Sequence, residues 1–147
     1  MFREQKGITL VALVITIIVL LILAGVTIAA LSGPNGILSN SVKSNEETAK
    51  SQAKEAVSMA VSELLSNYYV TQTTTASDPT DITSQNIADT VKANYPDFEI
   101  NSNTDTAIVM TINGIKISVA LTKTAGTDVG SLTSPTTWKV GDASVVK

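Results

Sequence analysis

The stretch Ile8 to Leu31 reads ITLVALVITIIVLLILAGVTIAAL and holds no charged side chain. As a helix rising about 1.5 Å per residue it reaches ~36 Å, enough to cross a hydrocarbon core of ~30 Å with some tilt. A soluble domain of this size has no room to bury such a run. Arg3, Glu4 and Lys6 precede it, and a polar, mostly anionic chain follows it. The bulk of the chain therefore belongs on one side of a membrane, or around a filament whose core the run occupies.

Composition narrows the chemistry. The run ends at residue 31 of 147, leaving about 115 residues, enough for one small domain with a modest core. The chain has neither Cys nor His. That removes disulfides, thiolate nucleophiles, the commonest general base and the usual metal ligands, so a structural or binding role is expected rather than catalysis, and no cofactor is called for. Beyond Leu31 stand eight Lys against twelve Asp and Glu. The positive-inside rule keeps the Arg3 and Lys6 end cytoplasmic and exports the acidic remainder. An acidic exterior offers no footprint for phosphates, so direct nucleic-acid binding is not expected.

Residues 1–7, MFREQKG, form a polar leader too short to fold. A secretory signal carries an apolar run of about 7–15 residues and then a small-residue cleavage site. Here the run is too long, and a cut near Ala24, Ala29 or Ala30 would meet a poor site at Leu31-Ser32-Gly33. The junction Lys6-Gly7-Ile8-Thr9-Leu10 has a different character: a basic leader ending in Gly, then Thr-Leu and an unbroken apolar helix. It resembles the prepilin signal of type IV pilins and of the related pseudopilins of type II secretion and DNA-uptake systems.

The resemblance covers residues 1–31 and implies several things. A prepilin peptidase would cut between Gly7 and Ile8 and methylate the new amine of Ile8. Cleaved subunits would pass from the cytoplasmic membrane into a homo-oligomeric or mixed cell-surface filament, driven by an assembly ATPase on a platform membrane protein. Gly7 suits the cut because a residue without a side chain slips into a protease site at the membrane surface. One departure stands out. Most family members carry a glutamate at the fifth residue after the cut, pairing with a neighbouring subunit's amine, and this chain has Ala12 there. An unpaired ammonium in an apolar bundle is costly, so the Ile8 amine must stay near water or headgroups, or meet hydroxyls and carbonyls.

Within the run, Thr9, Thr16 and Thr27 fall within about 20° of one another at 3.6 residues per turn, with Ala12 and Ala30 beside them. Gly25 and Ala29 make a small-xxx-small pair on another face. Such stripes suit close helix–helix contact. The alternative is that each Thr hydroxyl only bonds the carbonyl four residues back. Gly33, Pro34 and Gly36, in Ser32-Gly33-Pro34-Asn35-Gly36, end or bend the helix and form a candidate hinge.

Helical spacing returns over Leu38 to Tyr69. Val42, Ala49, Ala53, Ala56, Val57, Ala60, Val61, Leu64, Leu65 and Tyr68 make its apolar side, and a Ser44–Glu47 capping box and a Glu46–Lys50 pair are expected. Residues 71–80, TQTTTASDPT, read as a surface connector. Thr83 to Asn94 reads as a shorter helix closed by Pro96. TAIVMTI-NG-IKISVAL is a hairpin on an Asn113-Gly114 type I′ turn, which pairs Ile112 with Ile115, Met110 with Ile117 and Ile108 with Val119 on one apolar face. Residues 126–130 read as a loop, Thr136 to Val140 as a third strand and Ser144 to Val146 as a short fourth.

The expected fold is α+β: a long N-terminal helix, apolar in its first half and amphipathic in its second, packed on a small antiparallel sheet of three or four strands. Residues 1–7 are leader, 8–31 the membrane or filament-core helix, 32–70 hinge and exterior helix, and 71–147 the small exterior domain. Two other readings stay open: an uncleaved, single-span exterior binding module, and an envelope enzyme using Asp97 and Glu99, which sit where a solvated turn is also expected.

Overall fold

The computed structural model describes residues 10–74, 81–126, 128–129, 132–133 and 135–147. The chain divides into two compact units, residues 1–44 and 45–147. The first holds α1 (Leu10–Ser32) and the start of α2 (Ile37–Thr74). The second holds the rest of α2, then α3 (Ser84–Asn94) and six strands: β1 (Glu99–Asn103), β2 (Ala107–Ile112), β3 (Ile115–Thr124), β4 (Asp128–Val129), β5 (Leu132–Thr133) and β6 (Thr137–Val145). The fold is α+β, with a four-stranded antiparallel sheet in the order β1-β2-β3-β6.

The Ala-rich stripe of α2 makes the helix half of the core. Ala49, Ala53, Ala56, Val57, Ala60 and Val61 are buried, as is Tyr68, and Leu64 and Leu65 are half-buried against the same cluster. The first-half alanines keep side-chain bulk low where the sheet comes near. On the sheet side the cluster is completed by Ile108, Met110, Ile112, Ile117, Val119, Leu121 and Trp138. A fully buried Val or Ile contributes about 1.5–3 kcal/mol, whereas an exposed ion pair on a helix contributes ~0.3–0.5 kcal/mol. The apolar stripe, not the charges, therefore holds α2 to the sheet. Lys50 pairs with Glu47 rather than with Glu46, and Ser44 lies in mid-helix, where no N-cap exists because α2 already begins at Ile37. Val42 is exposed, since it precedes the part of the helix that meets the sheet.

The hairpin has the expected register, from Ile112↔Ile115 through Met110↔Ile117 to Ile108↔Val119. Asn113 at φ 51° and Gly114 at φ 78° supply the two positive-φ residues that a type I′ turn requires. The other strands depart from expectation. Thr137–Val145 is one strand, so the short fourth strand at 144–146 does not exist separately. A bulge sets Gly141 and Asp142 against Ala120, and this absorbs the break in pattern while letting the strand continue. A side chain at Gly141 would meet the Ala120 Cβ at 3.2 Å. The fourth strand is instead β1, on the far side of β2, with its own bulge at Asn101. The 126–130 loop contains β4, which pairs antiparallel with β5. α2 runs on to Thr74, into the stretch expected as connector, and residues 75–80 lie outside the described residues.

α3 begins at a capping box: Thr83 accepts from the Asn86 amide, and the Asn86 side chain accepts from the Thr83 amide. Ahead of that cap, Asp81 clasps the start of β6. Its carboxylate accepts from the Thr136 hydroxyl at 2.6 Å, the Thr136 amide at 2.9 Å and the Ile82 amide at 2.9 Å. The Trp138 indole N–H donates to the Ile82 carbonyl at 3.0 Å. The Thr136 hydroxyl foremost holds the Asp81 carboxyl below its ordinary value; desolvation opposes it, and the two amides and Lys123 add to it.

Candidate assembly helix

α1 carries no charged residue from Leu10 to Ser32 and buries none of its side chains in its own fold. Fifteen large apolar residues of α1 stand exposed, from Leu10 at 77% to Leu31 at 40%. Leaving them in water would cost on the order of 20 kcal/mol at ~1.5–3 kcal/mol for each side chain. That exceeds the 5–15 kcal/mol by which a small domain is stable. Lipid or other protein must therefore cover this helix, and it is long and apolar enough to cross a membrane.

Two threonine hydroxyls of the span are satisfied within it, Thr27 by the carbonyl four residues back and Thr16 by the carbonyl three residues back. The Thr16 hydroxyl donates to the Leu13 carbonyl and the Thr27 hydroxyl to the Leu23 carbonyl, both at 2.8 Å. Back-bonding thus accounts for these two hydroxyls, and their stripe presents methyl groups rather than free donors. Ala12, half-buried, and Ala29 lie on the same helix. A Cβ at Gly25 would meet nothing within 4 Å, so the surface there is open to close approach. Gly7, Ile8 and Thr9 lie outside the described residues.

At the end of α1 the Gly33 amide donates to the Ala29 carbonyl, and the chain then turns over residues 33–36. The Gly36 amide closes the turn on the Gly33 carbonyl at 2.7 Å, and the Gly36 carbonyl accepts from Asn40 to start α2. Gly36 is buried, and a Cβ on it would stand 2.5 Å from the Leu31 carbonyl oxygen. Pro34 supplies no N–H to continue the α1 ladder. The interruption is thus enforced by backbone packing at Gly36 as well as by the proline.

Elsewhere, Asp97 lies in the turn after α3 and Glu99 opens β1, both exposed. Among the described residues no group of three or more His, Cys, Asp or Glu side chains is placed to hold a metal ion. Set against known protein families, characterised proteins and solved structures, the chain matches none.

Proposed function

We propose that this chain is a structural subunit of a type IV pilus or of a pilus-like secretion or DNA-uptake filament, cut between Gly7 and Ile8 and assembled through its apolar N-terminal helix. One conjunction carries the reading: the Lys6-Gly7-Ile8-Thr9-Leu10 junction leads directly into a helix that its own fold leaves uncovered. A prepilin peptidase would process the chain on the cytoplasmic side and methylate Ile8, and an assembly ATPase with a platform protein would move it into the filament. Before assembly α1 sits in the cytoplasmic membrane; afterwards it packs against copies of itself or of related subunits, and the α+β unit is displayed at the cell surface. Apolar burial is favourable in both places, so helix packing must favour the transfer.

The alanine at position 12 supports a second reading, an uncleaved single-span anchor carrying an exterior binding module. Intact and N-terminal peptide mass spectrometry on membranes and on sheared surface material separates the two. A chain beginning at Ile8, one methyl heavier than its sequence and present in the sheared fraction, is the filament outcome. A chain that keeps MFREQKG and stays in membranes refutes it in favour of the anchor.

A further inference from the structure

The chain has three methionines, and the two that lie among the described residues have opposite surroundings. Met110 is fully buried on the sheet side of the core, whereas Met59 on α2 is 52% exposed. Met59 is nevertheless held, because the Tyr95 hydroxyl donates to its Sδ at 3.2 Å. That donor is itself fixed. Tyr95 is the C-cap of α3, with its amide on the Val91 carbonyl at 2.8 Å and its carbonyl accepting from the Phe98 amide at 3.0 Å. Its ring stacks on the Phe98 ring, with 5.0 Å between the centroids. One turn further along α2, Asn94 Nδ2 donates to Glu63 Oε2 at 2.7 Å, a second bridge between the end of α3 and α2.

A thioether sulfur carries two lone pairs, accepts hydrogen bonds weakly and is oxidised to a chiral sulfoxide. In Met59 the phenol proton occupies one lone pair, and the other is left to an oxidant arriving from solvent. We propose that Met59 is a site of stereoselective, repairable oxidation by hydrogen peroxide, with Tyr95 as the residue that sets the stereochemistry. The free lone pair attacks one peroxide oxygen, so that the S–O bond forms as the O–O bond breaks. The proton on the transferred oxygen passes to the departing one, which leaves as water; sulfur loses two electrons and the peroxide gains them. Tyr95 blocks one face of the sulfur, so one sulfoxide epimer dominates, and the reductase class that accepts that epimer repairs the site. The new oxygen lies on the exposed side and leaves the fold intact, whereas the same reaction at Met110 would set a polar atom in the core.

The test treats the full-length chain, in peroxide-free detergent micelles, with hydrogen peroxide and follows the uptake of one oxygen at each methionine by peptide mass spectrometry. Met59 is expected to react about tenfold faster than Met110, and Met59→Leu to remove the fast uptake. The epimers are counted by digesting the oxidised peptide with the two epimer-specific sulfoxide reductases. One epimer should be in about threefold excess in the folded chain, and the two about equal once the chain is unfolded in urea before oxidation. Tyr95→Phe keeps the ring and its stacking and loses only the donor, so it should leave the thermal melt in place and bring the epimers to about equal amounts. Equal epimers in the folded parent, an excess that survives Tyr95→Phe, or Met110 reacting as fast as Met59 would overturn the proposal.

Discussion

Asp81 shows how one exposed carboxylate joins distant parts of the chain. Three donors converge on it, and two of them come from Thr136. Because its folded pKa is depressed, its contribution to stability is fully present above the unfolded value of 3.8 and is lost as pH falls below that value through the folded one. Asp81→Asn is expected to lower stability by about 1 kcal/mol at pH 7, below the ~1.5–3 kcal/mol of a charged hydrogen bond because solvent screens the group. Thermal melts should show the gap between variant and parent shrinking at pH 3; a gap independent of pH would contradict the assignment. The role of Gly36 is steric: Gly36→Ala should open the 33–36 turn, read as faster exchange of the amide proton at position 36. Gly25→Ala meets nothing within 4 Å and should leave the isolated helix unchanged.

The hairpin β2–β3 is the element in which local pattern and tertiary demand agree. Gly114→Ala puts a Cβ at φ 78°, a cost of ~1–2 kcal/mol. Urea unfolding should report that loss as a lower midpoint at unchanged slope. Ile117→Ala, on the fully buried face, should cost more, about 2–5 kcal/mol. The hairpin was legible because its turn residues and its apolar alternation lie within one short stretch. β1 was not: EINSN has one apolar residue, Ile100, and becomes a strand only because β2 offers it an edge. In β6 the pattern breaks at Gly141-Asp142, and only the partner strand shows that the break is a bulge.

At the scale of the whole chain the exposed span α1 decides where the protein can exist, because no domain of this size could leave it in water. In the filament reading a neighbouring helix passes close to Gly25. Gly25→Leu should then leave the melt of the α+β unit and the cleavage at Gly7 intact while removing the protein from the sheared surface fraction. Undiminished surface filaments in that variant would place the helix contact elsewhere. Gly7→Arg should block cleavage, so that the leader stays on a membrane-bound chain.

From sequence alone follow the apolar span and its interruption, the amphipathic helix with its alanine stripe, and the hairpin with its register. Each is written in periodicity or turn chemistry within a few turns of helix or one pair of strands. Tertiary structure alone decides that β1 pairs with β2, that β6 runs through its bulge, that Asp81 reaches Thr136 across 55 residues, and that Tyr95 meets Met59. Those features depend on partners far along the chain, whose meeting depends on how the core packs, and no local spacing encodes it.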